Sequence, residues 1–247
     1  MKGSALIMDD WYEDSKACLF VAWESIKDVE NYSNQAITKK ESTYLPVLNV
    51  RVKNALENCR SPLDYAAVHI FETYCRGEYS SKKDLDKNRA AKPQFPITND
   101  KKIFEEQMSK KFKNLNVLKP KTYEIIEKYQ PYNDNEWLND FTELINSSKH
   151  RKLEKQSRAV TTHIDNYLSL KRNIHFENVT IVGDAIGFSE GPSMQDELIE
   201  HLQKGDDPNV KMDIRYFFSD TGFPVYETLY KYYTSVNKII EELAESL

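Results

Sequence analysis

Apolar residues recur at helical spacing over two long stretches near the N-terminus, and no other feature constrains the fold as strongly. The stretch from 9 to 36 carries Trp11, Leu19, Ala22 and Ile26 close to a 3.6-residue period, which predicts one long amphipathic helix. A second helix is predicted over 47–74. Pro62 lies inside it and is expected either to kink this helix or to divide it in two.

Shorter segments follow. A polar, basic loop is expected over 77–92, and Gln94 to Thr98 is expected to be extended with one buried aromatic side chain. Asn99 or Asp100 is suited to cap a helix that runs to about Leu115. Two further helices are predicted, one from Pro120 to about Tyr129 and one that begins after Asp134 or Asn135 and carries a buried stripe. That stripe consists of Trp137, Leu138, Phe141, Leu144 and Ile145.

The pattern changes after about Gln156, where β-branched and alternating residues become frequent. Strands are predicted over 159–170, 174–188 and 210–218. A final helix is predicted over 225–247, and its apolar positions are Leu229, Tyr232, Val236, Ile239, Ile240 and Leu243. We therefore predict an α+β fold, with a predominantly α-helical bundle over 1–157. A small antiparallel β-sheet packed with a C-terminal helix follows over 158–247, and the two parts are expected to form one compact unit.

Composition narrows the functional classes. Neither a stretch of eighteen apolar residues nor a secretory leader is evident, so a cytoplasmic protein without membrane contact is expected. Three cysteines, Cys18, Cys59 and Cys75, lie in helical stretches and are expected to be free thiols. The sequence contains no metal-ligand spacing, no P-loop and no dinucleotide fingerprint, so we predict neither a metal nor a cofactor.

The net charge of −5 is unevenly distributed along the chain. Residues 80–130 carry a net charge of +6, residues 146–172 a net charge of +5, and residues 173–247 a net charge of −9. The two basic segments suit a nucleic acid or another anionic ligand, and the acidic segment suits a protein partner or a homo-oligomer. The alternative is that the basic and acidic segments face each other within the fold.

One polar cluster stands out as a candidate site. Asn146, Lys149 and His150 are spaced i, i+3 and i+4 on a predicted helix, and Arg151 follows directly. Imidazole and guanidinium groups suit metal-independent phosphodiester chemistry, with histidine as base and arginine as anion stabiliser. The structural alternative is that these cations cap the helix end, whose dipole is negative. Arg60 and Asp64, four residues apart, are expected to pair and to lie near a ligand.

Four motifs in order carry a resemblance to a family. Leu63-Asp64-Tyr65, Phe95-Pro96-Ile97, Gln130-Pro131-Tyr132 and Asn146-x-x-Lys149-His150-Arg151 resemble the layout of a widespread family of uncharacterised bacterial proteins. The resemblance spans roughly residues 10–245. It implies a shared fold but no particular activity.

A second resemblance is to HEPN-type helical ribonucleases of toxin and phage-defence systems, which use an Arg-x(4–6)-His motif. Arg158 and His163 have that spacing. The resemblance implies that both act in RNA cleavage from a helix, although the intervening β-branched residues favour a strand. If His163 is not helical, His150 and Arg151 would have to serve instead.

Two functions therefore remain open. The first is a bacterial accessory or sensor protein that binds a partner or ligand, and the second is a HEPN-like, metal-independent ribonuclease. Whether the chain is an enzyme is not decided by the residues alone.

Overall fold

A computed structural model of the chain describes residues 5–36, 45–87, 93–150, 156–169, 174–182 and 210–247. Its first part is helical. The helices are α1 (Ala5–Ala36), α2 (Leu45–Ile70), α3 (Lys82–Lys87), α4 (Lys101–Lys111), α5 (Leu115–Leu118), α6 (Pro120–Lys128) and α7 (Trp137–His150). A π-helical turn (Phe71–Cys75) continues α2, and short 3-10 turns cover Arg76–Glu78 and Pro131–Asn133.

The second part contains the sheet. Strands β1 (Gln156–Ser169), β2 (Ile174–Val182) and β3 (Val210–Phe218) form a three-stranded antiparallel sheet in the order β2-β1-β3. Helix α8 (Val225–Ser246) follows. The predicted α+β class, with a helical part, a small antiparallel sheet and a C-terminal helix, is confirmed.

Two compact units make up the chain, and each combines segments that are distant in sequence. The first contains Met1–Ser25, Lys53–Leu153 and Leu229–Leu247, and the second contains Ile26–Val52 and Glu154–Thr228. Segments of the two units alternate along the chain. The predicted division into 1–157 and 158–247 instead places one boundary in the sequence. As a statement about independently folding domains, that division stays a prediction.

The core of the first unit is built from the predicted apolar faces. On α7 the five predicted stripe residues are all buried. Helix α8 packs Tyr232 against this stripe, with ring centroids 5.9 Å from Trp137 and 5.0 Å from Phe141. The remaining core positions of α8 are likewise buried: Leu229, Val236, Ile239, Ile240 and Leu243. The helical periods therefore identified the packing faces correctly.

Pro62 does not divide α2, which is one helix from Leu45 to Ile70. Cys59, Leu63 and Ala66, on either side of the proline, are at most 1% exposed. Burial of a helix face contributes several kcal/mol, roughly 1.5–3 kcal/mol for each large apolar side chain. That gain exceeds the penalty of about 3 kcal/mol for an interior proline, so the helix continues.

Other boundaries differ from the prediction. The segment after Gly77 is not only a loop, because it contains α3 and the buried side chain of Tyr79. Helix α4 ends at Lys111 rather than near Leu115, because Phe112 leaves the helical conformation with φ of −130° and Asn114 then turns the chain with φ of 62°. The predicted α-helix to Tyr74 ends at Ile70, where the π-helical turn begins. Residues 183–188, predicted as the end of a strand, lie outside the described residues.

All three cysteines are free thiols. Cys59 and Cys75 are fully buried, and burial raises the pKa of each thiol to about 12. They pack as small apolar side chains, as predicted.

No helix in the described part of the chain is long and apolar enough to cross a membrane.

Candidate functional site

Three helices and one extended segment of the first unit enclose a cleft of about 260 Å³. Each helix contributes residues one turn apart, so each presents a single face to the cleft. We call the extended segment from Pro93 to Thr98 the strap and the whole site the strap cleft. Its lining residues are Arg60 and Asp64 from α2, Gln94 to Ile97 from the strap, Gln107 and Lys111 from α4, and Thr142, Ile145 and Asn146 from α7.

The predicted pair of Arg60 and Asp64 is confirmed and forms one wall of the strap cleft. Arg60 donates from Nε to Oδ2 of Asp64 at 3.1 Å and from Nη2 to Oδ1 at 2.8 Å. The same Nη2 donates to the carbonyl oxygen of Phe95 at 3.2 Å, and the Phe95 backbone N–H donates to Oδ1 of Asp64 at 3.1 Å. A bidentate, charge-assisted pair therefore holds the strap against α2.

Gln130 holds the other end of the strap. Its side chain is fully buried, and its Oε1 accepts a hydrogen bond from the Thr98 backbone N–H at 3.0 Å. Its Nε2 donates at 2.9 Å to the carbonyl oxygen of Pro96 and at 2.9 Å to that of Ile126. Because both ends of its amide are used, Gln130 fixes the path of the strap between α2 and α6.

The motif residues that carry the family resemblance thus meet at one place. Asp64 and Gln130 form hydrogen bonds to the strap, which contains Phe95, and Asn146 lines the strap cleft. In the sequence these positions are separated by between 16 and 35 residues. Three of the four motifs therefore have a structural role in forming the cleft, and the fourth supplies a lining residue.

Of the predicted cluster around Asn146, the structure describes the side chain of Asn146 alone. Asn146 is exposed and lines the strap cleft. Lys149 and His150 lie in the last turn of α7, one turn beyond Asn146 along the helix, but their side chains are outside the described part of the structure, as is the whole of Arg151. Their predicted roles in ligand binding and catalysis stay predictions.

Arg158 and His163 do not share a helix, since both lie in β1. Arg158 is opposite Tyr216 of β3, and His163 is opposite Lys211 of β3 and Thr180 of β2. Residues five apart on a strand are separated by about 16 Å along its axis, so the helical Arg-x4-His arrangement of the HEPN resemblance is not formed. The β-branched residues between them favoured the strand.

His163 instead takes part in pairing on one face of the sheet. Its Nδ1 is 2.8 Å from the hydroxyl oxygen of Thr180, and its Nε2 is 2.9 Å from Oδ1 of Asp165. Both ring nitrogens are therefore engaged by neighbours at i+2 and across the strand pair. Such contacts stabilise an exposed sheet face without any ligand.

The predicted basic surface of residues 80–130 is partly neutralised within the fold. Lys101 pairs with Glu127 at 2.9 Å, Lys128 pairs with Glu242 at 2.8 Å, and Lys110 pairs with Glu106. The alternative interpretation was that the basic and acidic segments face each other within the fold. The pair of Lys128 and Glu242 agrees with it. Lys111 differs, because it lines the strap cleft and forms no ion pair with any described residue.

Sequence reasoning missed Gln94, Gln107 and Lys111. The spacing of Gln107 and Lys111 shows that they share one face of α4, but nothing local indicates that this face meets α7. Within the described ranges, no group of three histidine, cysteine or acidic side chains is arranged to hold a metal ion.

Comparisons of the chain with models of protein families, with curated proteins and with solved structures found no significant match in any of the three.

Proposed function

We propose that this chain is a binding module, a bacterial intracellular accessory or sensor protein, whose ligand occupies the strap cleft. The observation that supports the proposal is the convergence of Arg60, Asp64 and Asn146, together with the strap, on one cleft of about 260 Å³. Binding sites for small molecules are concave and carry a few fixed polar groups. Three primary amides, one ammonium and one guanidinium line this cleft.

The rigidity of the walls also supports this function. Gln130 and the Arg60–Asp64 pair hold the strap at two points, and α7 is anchored by its buried stripe. Polar groups held in place before a ligand arrives lose little entropy on binding, which raises affinity. A pre-formed site suits a sensor protein, because it can bind a small ligand that makes only a few contacts.

The proposal is tested by two-dimensional NMR with a panel of charged and neutral small molecules. We expect at least one of them to shift the side-chain amide signals of Gln94, Gln107 and Asn146. Asn146→Trp fills the cleft and is expected to abolish the shifts. Glu143→Trp, at an exposed position of the same helix that does not line the cleft, is the matched control and should leave them unchanged.

The ribonuclease alternative is decided by a separate assay. Purified protein is incubated with single-stranded RNA, with and without a chelator of divalent metals. Cleavage that is lost in His150→Ala or His163→Ala, while folding is retained, would replace the binding module with the HEPN-like nuclease. Intact RNA together with ligand-dependent shifts in the cleft is the outcome that the proposal expects.

A further inference from the structure

We infer that the strap cleft recognises its ligand through an oxyanion, a phosphate or carboxylate group on a small molecule, which Lys111 and Arg60 hold. This inference rests on the proposed function and names the chemistry of the ligand. It follows from three properties of the lining residues: which charges are already compensated, which donors remain, and how large the space is.

The first property is that the only carboxylate among the described lining residues is already compensated. Asp64 accepts three hydrogen bonds, two from Arg60 and one from the Phe95 backbone N–H. To become the ion-pair partner of Asp64, a cationic ligand would have to take the place of Arg60, whose side chain is only 15% exposed. Because charge-assisted bidentate pairs are strong, that exchange is unfavourable, and the cleft does not suit a cation.

The second property is the surplus of donors. Lys111 is half-buried in the last turn of α4 and has no ion-pair partner among the described residues. Nη1 of Arg60 makes no hydrogen bond to any residue that the structure describes, whereas Nε and Nη2 do. With the Arg60–Asp64 charges balanced, the described lining carries a net charge of +1 from Lys111. A partly desolvated ammonium is stabilised by an anion.

Helix capping does not distinguish Lys111 from its neighbour. Lys110 and Lys111 both lie in the last turn of α4, where cations interact favourably with the helix dipole. Lys110 is exposed and paired with Glu106, while Lys111 lines the cleft. The two lysines therefore form a matched pair, equal in their effect on the helix and different in their access to a ligand.

The third property is size. A volume of about 260 Å³ lies just below the roughly 300–1,000 Å³ of pockets that hold drug-sized molecules. The cleft thus suits a small metabolite rather than a polymer. The amides of Gln94, Gln107 and Asn146 each offer both donors and acceptors, which suits the polar remainder of such a molecule.

The test measures affinities by NMR titration of the full chain with inorganic phosphate, acetate, AMP and adenosine. AMP and adenosine differ only in the phosphate group, and phosphate and acetate separate the two kinds of oxyanion. We expect phosphate, acetate or AMP to shift the Lys111, Gln107 and Asn146 signals, and we expect adenosine to bind at least about tenfold more weakly than AMP.

Substitutions of Lys110 and Lys111 then show which lysine binds the anion. Lys111→Gln is expected to weaken anion binding by about ten- to a hundredfold, the usual effect of losing one hydrogen bond to a charged group. Lys110→Gln should change the affinity by less than about threefold, because its charge is exposed and already paired. Lys111→Arg keeps the charge and should retain most of the binding, which separates loss of charge from a folding defect.

The outcomes for the two proposals differ. Adenosine binding as tightly as AMP, or anion binding that Lys111→Gln leaves unchanged, would overturn the oxyanion inference while the cleft stays a ligand site. Single-stranded RNA that shifts these signals in preference to every small anion would also overturn it. If no small molecule of either panel shifts any cleft signal, the proposed function fails together with the inference.

Discussion

The ion pair of Arg60 and Asp64 combines a local role on α2 with a long-range role on the strap. An i,i+4 pair on an exposed helix face contributes only about 0.3–0.5 kcal/mol. Here the side chains are 15% and 29% exposed, and Asp64 also accepts the Phe95 N–H. We therefore expect the Arg60–Asp64 pair to contribute more to stability than an exposed i,i+4 pair does.

Asp64→Asn tests this difference. The substitution removes the charge and leaves the guanidinium of Arg60 without its anion, so we expect the free energy of unfolding to fall by about 1.5–3 kcal/mol. Urea unfolding followed by circular dichroism measures it. The matched control is Glu72→Gln, which breaks an i,i+4 pair with Arg76 whose side chains are 45% and 58% exposed. The control should lose less than about 0.5 kcal/mol, and equal losses would contradict the special role of Asp64.

His69 is a buried side chain with an unpaired nitrogen. It is 6% exposed and stacks on Trp11 with ring centroids 5.4 Å apart, and its Nε2 has no hydrogen-bond partner among the described residues. Desolvation lowers the pKa of His69 below its ordinary value. The folded state therefore favours the neutral ring, while the unfolded chain takes up a proton near pH 6.5.

This imbalance predicts a pH effect on stability. As the pH falls below about 6.5, the unfolded state binds the additional proton, so the free energy of unfolding decreases by at most about 1.4 kcal/mol per pH unit, until the lowered folded-state pKa is passed. His69→Phe keeps an aromatic ring and removes the titrating group. Urea unfolding between pH 5 and pH 7.5 should show a shallower pH dependence for the variant. Identical slopes in the two proteins would show that His69 does not contribute.

The strap is an element without regular secondary structure that is held by side chains from α2 and from the turn after α6. Gln130 supplies the fully buried part of this restraint, because its side chain bonds both Pro96 and Thr98. Buried backbone groups that lose their partners cost about 1–3 kcal/mol each. The conformation of the strap therefore depends on the hydrogen bonds of Gln130.

Gln130→Met has a similar length but no hydrogen-bonding groups. It leaves the Thr98 N–H and the Pro96 carbonyl unpaired, and we expect a loss of about 3 kcal/mol in the free energy of unfolding. Hydrogen exchange should also show faster exchange of the Thr98 amide in the variant. Asn133→Ala removes one exposed amide that donates to the Glu127 carbonyl and serves as the control, with less than about 1 kcal/mol expected. If the Thr98 amide exchanges equally slowly in the variant, Gln130 does not restrain the strap.

The first compact unit is assembled from the beginning, the middle and the end of the chain. Trp23 of α1 stacks on Tyr233 of α8 with ring centroids 5.5 Å apart, and Lys16 donates to Oε1 of Glu241 at 2.6 Å. Helix α8 also supplies buried side chains that pack on α7. A fragment of residues 1–157 lacks all of these contacts.

We therefore expect residues 1–157 alone to lack a cooperative unfolding transition, because their core is incomplete without α8. Adding residues 225–247, joined by a flexible linker, should restore the transition. Thermal unfolding followed by circular dichroism distinguishes the cases, and a linked helix with the order of its residues reversed is the control. Cooperative unfolding of the shorter fragment at the temperature of the full chain would instead support a domain boundary near 157.

Local periodicity was sufficient to predict the long helices and the strands of this fold, because a helix or strand face is defined by neighbours a few residues apart. The buried stripe of α7, the core positions of α8 and the three strands were read in this way. Boundaries were less well predicted, since the left-handed Asn114 and the continuation of α2 through Pro62 depend on packing around them.

The candidate site was decided at the level of tertiary structure. Spacing indicated the Arg60–Asp64 pair and the helical face of Asn146, but it gave no sign that Lys111 and Gln107 join them. The cleft brings together residues as distant in the chain as Arg60 and Asn146, and this arrangement follows from the summed burial of whole helix faces. For Arg158 and His163 the β-branched residues between them already favoured a strand, and the structure places both in β1, where they pair with β3.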